Sequence, residues 1–577
     1  MIMAWYDEAV FYHIYPLGLC DAPKENAYTA PVHRLRDAFC WIPHIKKLGC
    51  NAIYIGPLFE SVGHGYETTD YKKLDSRLGD NADLTDFVSE CHAQGIRVIF
   101  DGVFNHVGRD FFAFKDLQAN RESSPYRDWF CNVNFGGNNE YNDGFCYDNW
   151  GGYNLLVKLN QHNPAVRDYI CDVIRFWVST FDVDGIRLDA ADVLDFDYMH
   201  MLRAVANDVK PEFWLMGEVI HGDYTRWVNG DTLHAVTNYA LHKALYSGHN
   251  DHNYFEIAHT VKRLYEMGGN RPDGLKLYNF VDNHDVERIY TKLTNKAHFA
   301  PVHVLLYTLP GVPSIYYGSE FGIEGKKEAF SDASLRPALH YADYADAFET
   351  NSCTKLIAAL GHTRQQTPAL SYGAYRELLL TNRQYAFARD YENQSVLVSV
   401  NNDDQPADLY LAAGNCPGYT GALSGTHVSV ENGQIHVTLA ANSGDIWLPD
   451  TAAGDEIPTE PVAFNASDAV GTVTDPATAQ PEETPVEEAA PSEQAPAAQE
   501  ESPITKNEAP AITPQGTVAT EAVSCDENAA FERGRIAGLQ EAILAIMSKN
   551  GPVTDQMRRD VEANVYHDSL INWVKSF

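Results

Sequence analysis

Between about Val10 and Gly318, eight short runs rich in β-branched and aromatic residues alternate with stretches of helical character, and that rhythm restricts the fold more than any other feature of the chain. Alternation of this kind builds a parallel sheet from βα units. The candidate strands are Val10 to Tyr15, Ala52 to Gly56, Arg97 to Asp101, Val183 to Leu188, Phe213 to Met216, Ala235 to Asn238, Leu277 to Phe280 and Ser314 to Tyr317. Eight of them predict an α/β chain closed as a (β/α)8 barrel. The barrel is assigned to residues 1–371, with a small subdomain inserted after strand 3 at 107–157. There Asn, Gly, Asp and aromatics such as Trp129, Phe130, Tyr147 and Trp150 interrupt the rhythm.

Past the barrel, strand patterns follow one another without helices, which predicts a C-terminal antiparallel β-sandwich at 372–449. Composition then changes abruptly. From Asp450 to Cys525 there are fifteen acidic residues, ten prolines and a single aromatic, Phe464, too little apolar surface to offset the entropy of ordering. Residues 450–525 are therefore expected to be a disordered, acidic Pro/Glu/Ala-rich linker. Helical periodicity returns at 526–577, with Phe531, Leu539 and Ile543 before Asn550-Gly551-Pro552 and Val561 and Trp573 after it. This predicts a C-terminal helical hairpin whose apolar faces are too small for a core of their own, hence a surface for a protein partner or for self-association.

Charge narrows the partners. Lys and Arg number 43 against 79 Asp and Glu, a net charge of −36, which repels phosphate backbones and anionic lipid and argues against nucleic acid and membrane surfaces. No apolar stretch reaches the roughly 20 residues of a membrane span. Residues Met1 to Val10 carry Asp7 and Glu8 and show no basic segment followed by an apolar run, so no secretory signal is expected. The ten cysteines include no CxxC pair, a usage that suits free thiols in the cytoplasm better than a disulfide or zinc framework. Zinc motifs of the HExxH type and phosphate-binding loops are absent from the sequence.

Several strand ends carry clustered polar residues: Asp101-Gly102-Val103-Phe104-Asn105-His106, Gly185-Ile186-Arg187-Leu188-Asp189, Gly217-Glu218-Val219 and Asp282-Asn283-His284-Asp285. In a parallel barrel these C-terminal ends meet on one face, so four patches distant in sequence converge on one pocket. A lone Asp after a strand is ordinarily a helix N-cap. Four such patches in strand order point instead to a site. Carboxylates and histidines without a metal cage suit glycosidic bond hydrolysis, in which one carboxylate attacks the anomeric carbon and another protonates the leaving oxygen. Arg187 lies two residues before Asp189 and so on the same side of its strand, where its guanidinium would keep Asp189 ionised. Glu218, beside Met216 and Val219, is expected to have the raised pKa an acid needs.

These segments resemble the ordered signature regions of the α-amylase family of retaining α-glycoside hydrolases. The resemblance runs from about Ala9 to Trp447 and includes Gly65-Tyr66-Glu67-Thr68-Thr69-Asp70-Tyr71, Lys158-Leu159-Asn160 and Gly311-Val312-Pro313-Ser314-Ile315-Tyr316-Tyr317-Gly318. Within the family, the Gly-Tyr segment and Lys158-Leu159-Asn160 are most similar to the neopullulanase and cyclomaltodextrinase branch. What the resemblance implies is Asp189 as nucleophile, Glu218 as general acid/base and Asp285 as the carboxylate that stabilises the transition state. It further implies that Tyr66 stacks on the sugar at the cleavage point, that His106, Arg187 and His284 bind substrate or hold the nucleophile, and that Asp101 is a structural carboxylate. Two departures stand out. The first barrel strand begins near Val10, where that branch has an extra N-terminal β-domain. Asp192 and Val193 replace the Lys-His that typical α-amylases use for acceptor and calcium, so no cofactor is required, and Asn105 is the one candidate calcium ligand.

The expected activity is hydrolysis of α-1,4 bonds in malto-oligosaccharides or related α-glucans. A transglycosylase or an α-1,6-acting relative would use the same three carboxylates, and a non-catalytic glucan-binding subunit would share the barrel without needing them.

Overall fold

The computed structural model describes residues 4–268, 274–328, 331–450, 461–473, 540 and 543. Its centre is a parallel barrel of β1 (Phe11–Ile14), β2 (Ala52–Ile55), β3 (Arg97–Gly102), β4 (Gly185–Leu188), β5 (Trp214–Gly217), β6 (Ala235–Val236), β7 (Tyr278–Asn279) and β8 (Val312–Tyr316). Neighbours pair in parallel from β1 through β6 and from β1 back through β8 to β7. A parallel bridge between Thr237 and Tyr278 closes the ring.

The reason these eight segments fold this way lies in their two-residue periodicity. On the face that looks into the barrel, Phe11, Ala52, Tyr54, Ile99, Trp214, Met216, Ala235, Tyr278 and Val312 pack as one buried cluster. The large ring of Trp214 stacks on Phe11, with centroids 5.1 Å apart. Continuing along the same face toward the C-terminal strand ends, the sequence turns polar: His13, Asp101, Arg187 and Asp189. The barrel is thus filled with hydrocarbon at one end and lined with charge at the other. The opposite face supplies Ile53, Ile55, Val98, Phe100, Ile186 and Leu188, all buried beneath the surrounding helices.

After β3 the inserted segment forms a three-stranded antiparallel sheet from His106–Gly108, Asn149–Trp150 and Tyr153–Lys158, with a helix at Phe112–Asn120. Within the insert, Asn134–Cys146 is by itself a loop closed by a bridge between its two end residues. The chain then enters helix α1 (Pro164–Phe181), started by the Asn163 side chain and Pro164, and after β4 helix α2 (Phe196–Val209), capped by Asp195.

Strands resume at Ala374. Six of them, β9 (Ala374–Leu380), β10 (Gln384–Tyr391), β11 (Gln394–Asn401), β16 (Ser443–Pro449), β13 (Gly418–Gly421) and β14 (His427–Ser429), form one antiparallel sheet in that spatial order. β12 (Ala407–Ala412) and β15 (Gln434–Leu439) pair opposite it. Leu397, Leu409, Leu411, Ile435, Val437 and Trp447 fill the space between. The sandwich is joined to the barrel by Arg389, a fully buried guanidinium that donates to the Thr308 carbonyl at 2.6 Å and so caps the end of the Phe299–Thr308 helix.

The expected linker needs one correction. Residues 461–473 are folded onto the barrel: Phe464 stacks on Phe299 with centroids 5.4 Å apart, and Asn351 donates to the Asp468 carbonyl at 2.9 Å. Gly471–Thr472 pairs in parallel with Ile323–Glu324. Composition averaged over the whole acidic stretch conceals this strap, because its anchoring depends on one ring and on backbone hydrogen bonds. The remainder of the expected linker past Asp450 and the helical hairpin at 526–577 lie outside the described residues, apart from residues 540 and 543. None of the nine described cysteines is in a disulfide. Among the described residues no helix is long and apolar enough to cross a membrane.

Removing the half-buried Phe464 ring should weaken the fold by about 1–2 kcal/mol. Phe464→Ala is therefore expected to lower the calorimetric unfolding midpoint by a few degrees, and a chain ended after Asp450 by at least as much; an unchanged midpoint in both would show that the strap contributes nothing to stability.

Candidate active site

The polar end of the barrel gathers residues that follow five strands. β3 presents Asp101 and, just beyond it, Asn105 and His106; β4 presents Arg187 and Asp189; β5 leads into Glu218. The segment after β7 brings His284 and Asp285, and the hairpin after β2 brings Tyr66. All nine residues singled out in the sequence lie in this one region.

At its centre is Arg187, almost fully buried. Its Nη1 donates to Asp101 Oδ1 at 2.9 Å and to Asp189 Oδ1 at 2.9 Å, while Nη2 meets Glu218 Oε2 at 2.7 Å. Asp101 also accepts from the Tyr54 hydroxyl at 2.7 Å, so it anchors Arg187 from below. The Tyr66 hydroxyl sits between Asp101, at 3.1 Å, and Nε2 of His284. The Tyr66 ring lies parallel to that of His284, with centroids 5.6 Å apart. His284 Nε2 in turn pairs with Asp285 Oδ2 at 3.0 Å. His106 directs Nε2 toward Asp189 Oδ2 at 3.9 Å.

Burial acts on the carboxyls of Asp189 and Asp285, with opposite outcomes. It pushes the Asp189 carboxyl well above the usual carboxylate range, and Glu218, Asp101 and Asp285 add to the shift while Arg187 opposes it. The guanidinium is where the sequence placed it, but three carboxylates divide it, and it does not outweigh burial. Asp285 moves the other way: burial would raise it, yet His284, Arg336 and Arg187 together hold it well below the ordinary range. Burial lowers His106 to about 3, so its imidazole is neutral. The setting of Glu218 also differs from the apolar one expected. Its carboxylate touches Arg187, the backbone N–H of Ala190 at 3.2 Å and the Tyr239 hydroxyl at 3.2 Å. Val219, its neighbour, has the opposite orientation along the chain, as alternation requires.

Several site residues escaped sequence reasoning. Arg336 donates to Asp285 Oδ1 at 3.0 Å, and Lys327 to the Asp285 carbonyl at 2.9 Å. Tyr239, which opens a helix, bridges Glu218 and Asn283. Arg336 and Lys327 lie far in sequence from any barrel strand end, and Tyr239 follows β6 as the first residue of a helix. Of the insert aromatics, Trp150 lies parallel to His106 with centroids 6.4 Å apart. Trp129 packs on Phe112 and Tyr169, and Phe130 and Tyr147 on Phe114.

The candidate calcium ligand does not fit a cation. Asn105 is fully buried, and its Oδ1 accepts from the Gln161 amide at 3.1 Å, whereas calcium would require that oxygen within a cage of several others. Among the described residues the one grouping of three metal-competent side chains is His33, Asp80 and Asp83. Asp80 and Asp83 there form the capping box of the Asn81–Ala93 helix, and Arg36 pairs with Asp83 at 2.7 Å.

Residues 41–372 match the alpha amylase catalytic domain, and residues 375–444 the maltogenic amylase C-terminal domain. A cyclomaltodextrinase of Thermoanaerobacter pseudethanolicus is 32% identical over 377 residues, 64% of this chain and 63% of that enzyme. Another cyclomaltodextrinase, from a Bacillus species, is 30% identical over 449 residues, 74% of this chain and 78% of the relative. The debranching enzyme of Nostoc punctiforme superposes with a TM-score of 0.64 at 26% identity, over 77% of this chain and 98% of that one.

The raised pKa of Asp189 carries a stability consequence. A carboxyl that binds its proton more tightly in the folded state supports folding fully at low pH and opposes it as pH rises through the folded value. Asp189→Asn should therefore unfold at a higher temperature than the parent at neutral pH, the gap closing as pH falls below the raised value. A lower midpoint at pH 7 in calorimetry would mean that attraction to Arg187 prevails over burial.

Proposed function

Because this chain belongs to the α-amylase family of glycoside hydrolases, shown by the catalytic-domain match over residues 41–372, we propose that it hydrolyses α-1,4-glucosidic bonds in malto-oligosaccharides and related α-glucans, cyclodextrins included. The observation that carries the reading is the bridging of Asp189 and Glu218 by one guanidinium. Two carboxylates held on the two terminal nitrogens of one Arg are close neighbours. This supports the short spacing of about 5–5.5 Å that retaining enzymes use over the wider gap that leaves room for water.

In this mechanism Glu218, protonated, gives its proton to the glycosidic oxygen while Asp189 attacks the anomeric carbon and forms a glycosyl ester. The aglycone leaves. Glu218, now a carboxylate, takes a proton from water, whose oxygen attacks the same carbon and releases Asp189, so the α-configuration returns. Asp285 is held ionised by His284 and Arg336 and stabilises the positive charge that develops on the sugar ring. One guanidinium serves Asp101, Asp189 and Glu218 together, and burial raises the Asp189 carboxyl, so attack by Asp189 requires that it be freed of its proton when the substrate is bound. Tyr66, His106 and His284 line the cleavage point. The free thiols support a reducing, cytoplasmic setting for the reaction.

Asp189→Ala, Glu218→Gln and Asp285→Asn should each lower kcat/KM on maltoheptaose by roughly 10⁴-fold or more with the fold retained, and proton NMR of the wild-type digest should show the α-anomer first. Near-normal turnover by a variant would remove its residue from the mechanism, and the β-anomer would overturn double displacement. Chromatography of digests of maltoheptaose, β-cyclodextrin and pullulan separates hydrolysis from transfer, which yields products longer than the substrate, and from α-1,6 cleavage. Chelation with EDTA should leave the rate unchanged, since the Asn105 oxygen is already occupied by an amide; calcium-reversible inhibition would refute this.

A further inference from the structure

We propose that Gln161 is a positioning residue for His106, acting through Asn105 to hold its imidazole as the tautomer that carries hydrogen on Nε2. The inference rests on the functional reading above only for its effect on rate; the tautomer itself follows from the hydrogen bonds.

The argument starts from a group whose direction is not in question. The backbone N–H of Asp195, at the cap of α2, can only donate, and it meets the Gln161 side chain at 2.7 Å. The atom it meets must therefore be the oxygen of the Gln161 amide. The amide nitrogen then faces Asn105 at 3.1 Å and donates, which fixes the receiving atom as Asn105 Oδ1. Asn105 in turn presents its NH2 to Nδ1 of His106 at 3.2 Å. A neutral imidazole that accepts on Nδ1 carries its hydrogen on Nε2.

Each unit of the relay is held in place by other bonds. The Arg167 Nε donates to the Gln161 carbonyl at 2.6 Å, and the Asn105 carbonyl accepts from the Leu159 N–H at 3.0 Å. Asn105 is fully buried and His106 nearly so, hence no water competes for these atoms. At the far end, His106 Nε2 is buried without a hydrogen bond of good geometry; the Tyr66 carbonyl faces the imidazole, and Asp189 Oδ2 lies 3.9 Å from Nε2. A sugar hydroxyl beside both groups would accept from Nε2–H and donate to Asp189. In the other tautomer that hydroxyl would meet two acceptors, and the Nε2 lone pair would face the carboxylate that has to attack. The oxygen that an oxygen-bound cation would need from Asn105 is thus used to pass a hydrogen-bond direction from α2 to the cleavage point.

The test combines spectroscopy with kinetics on the full chain. Long-range proton–nitrogen correlation spectra of uniformly ¹⁵N-labelled protein report the tautomer, and the His106 signal is identified by its loss in His106→Gln. The wild type should show a protonated Nε2 and an unprotonated Nδ1. Gln161→Glu keeps size and still accepts from Asp195, but its carboxylate does not donate to Asn105; the Asn105 amide then turns over and the His106 pattern inverts. Its kcat/KM on maltoheptaose should fall roughly tenfold to a hundredfold, the scale of one hydrogen bond to a charged or polarised group. Gln161→Met, which imposes neither direction, should fall less. A role in packing alone would rank the two variants the other way, because Glu is nearer to Gln in shape. A wild-type spectrum with hydrogen on Nδ1 overturns the proposal even if Gln161→Glu fails to fold, as does a Gln161→Glu protein that keeps the wild-type pattern. The Nε2–H tautomer in a protein without activity on any α-glucan would support the relay and refute the functional reading.

Discussion

Everything at the polar end of the barrel depends on one buried guanidinium serving three carboxylates. Arg187 needs Asp101 to be stable in the interior, since a charge removed from water must be paired. Once paired, it has a second nitrogen free for Glu218 and a remaining lobe for Asp189. The site is consequently an over-subscribed ion cluster, with more negative groups than its cation can satisfy. Burial raises both carboxyls; at Asp189 the shared guanidinium does not overcome it, whereas at Asp285 the neighbouring His284 and Arg336, with Arg187, do. A cluster arranged in this way is costly for the fold.

The barrel was legible because each strand repeats a simple pattern. Ala52 and Tyr54, or Ile99 and Asp101, alternate with buried Ile53, Ile55, Val98 and Phe100, and this alternation needs no knowledge of what lies across the sheet. Eight of the nine site residues were legible for the same reason, since they continue those patterns past the strand ends; Tyr66, on the hairpin after β2, was legible only through the family resemblance. Arg336 and Tyr239 were not, since a loop arginine and a helix-opening tyrosine acquire meaning only from Asp285 and Glu218, which reach them through the fold. The environment of Glu218 was misread because sequence neighbours on a strand point away from one another. Within the sandwich, Gly418–Gly421 is short and begins and ends in glycine, which on its own reads as a turn.

The strap at 461–473 shows how far the barrel's stability extends along the chain. Its contacts fall on Phe299, Ser352 and the Phe321–Glu324 segment, which also carries the chain toward Lys327 and Arg336. The strap therefore braces the base of the loop whose two cations hold Asp285. The sandwich does the equivalent work for the helix before β8 through Arg389, whose single side chain closes that helix and the sheet–barrel junction together.

Gly56, at the end of β2, brings this dependence down to its smallest part. A Cβ built there would stand 2.3 Å from Cβ of Asp101, inside any tolerable contact. The clearance between two adjacent strands is therefore set at one point by a hydrogen atom, and what rests against it is the carboxylate beneath Arg187. A position with no charge, no polarity and no reach toward a sugar thus acts as a gauge block for the whole ion cluster. Here a loss of a few tenths of an ångström in the backbone becomes a change in where protons reside.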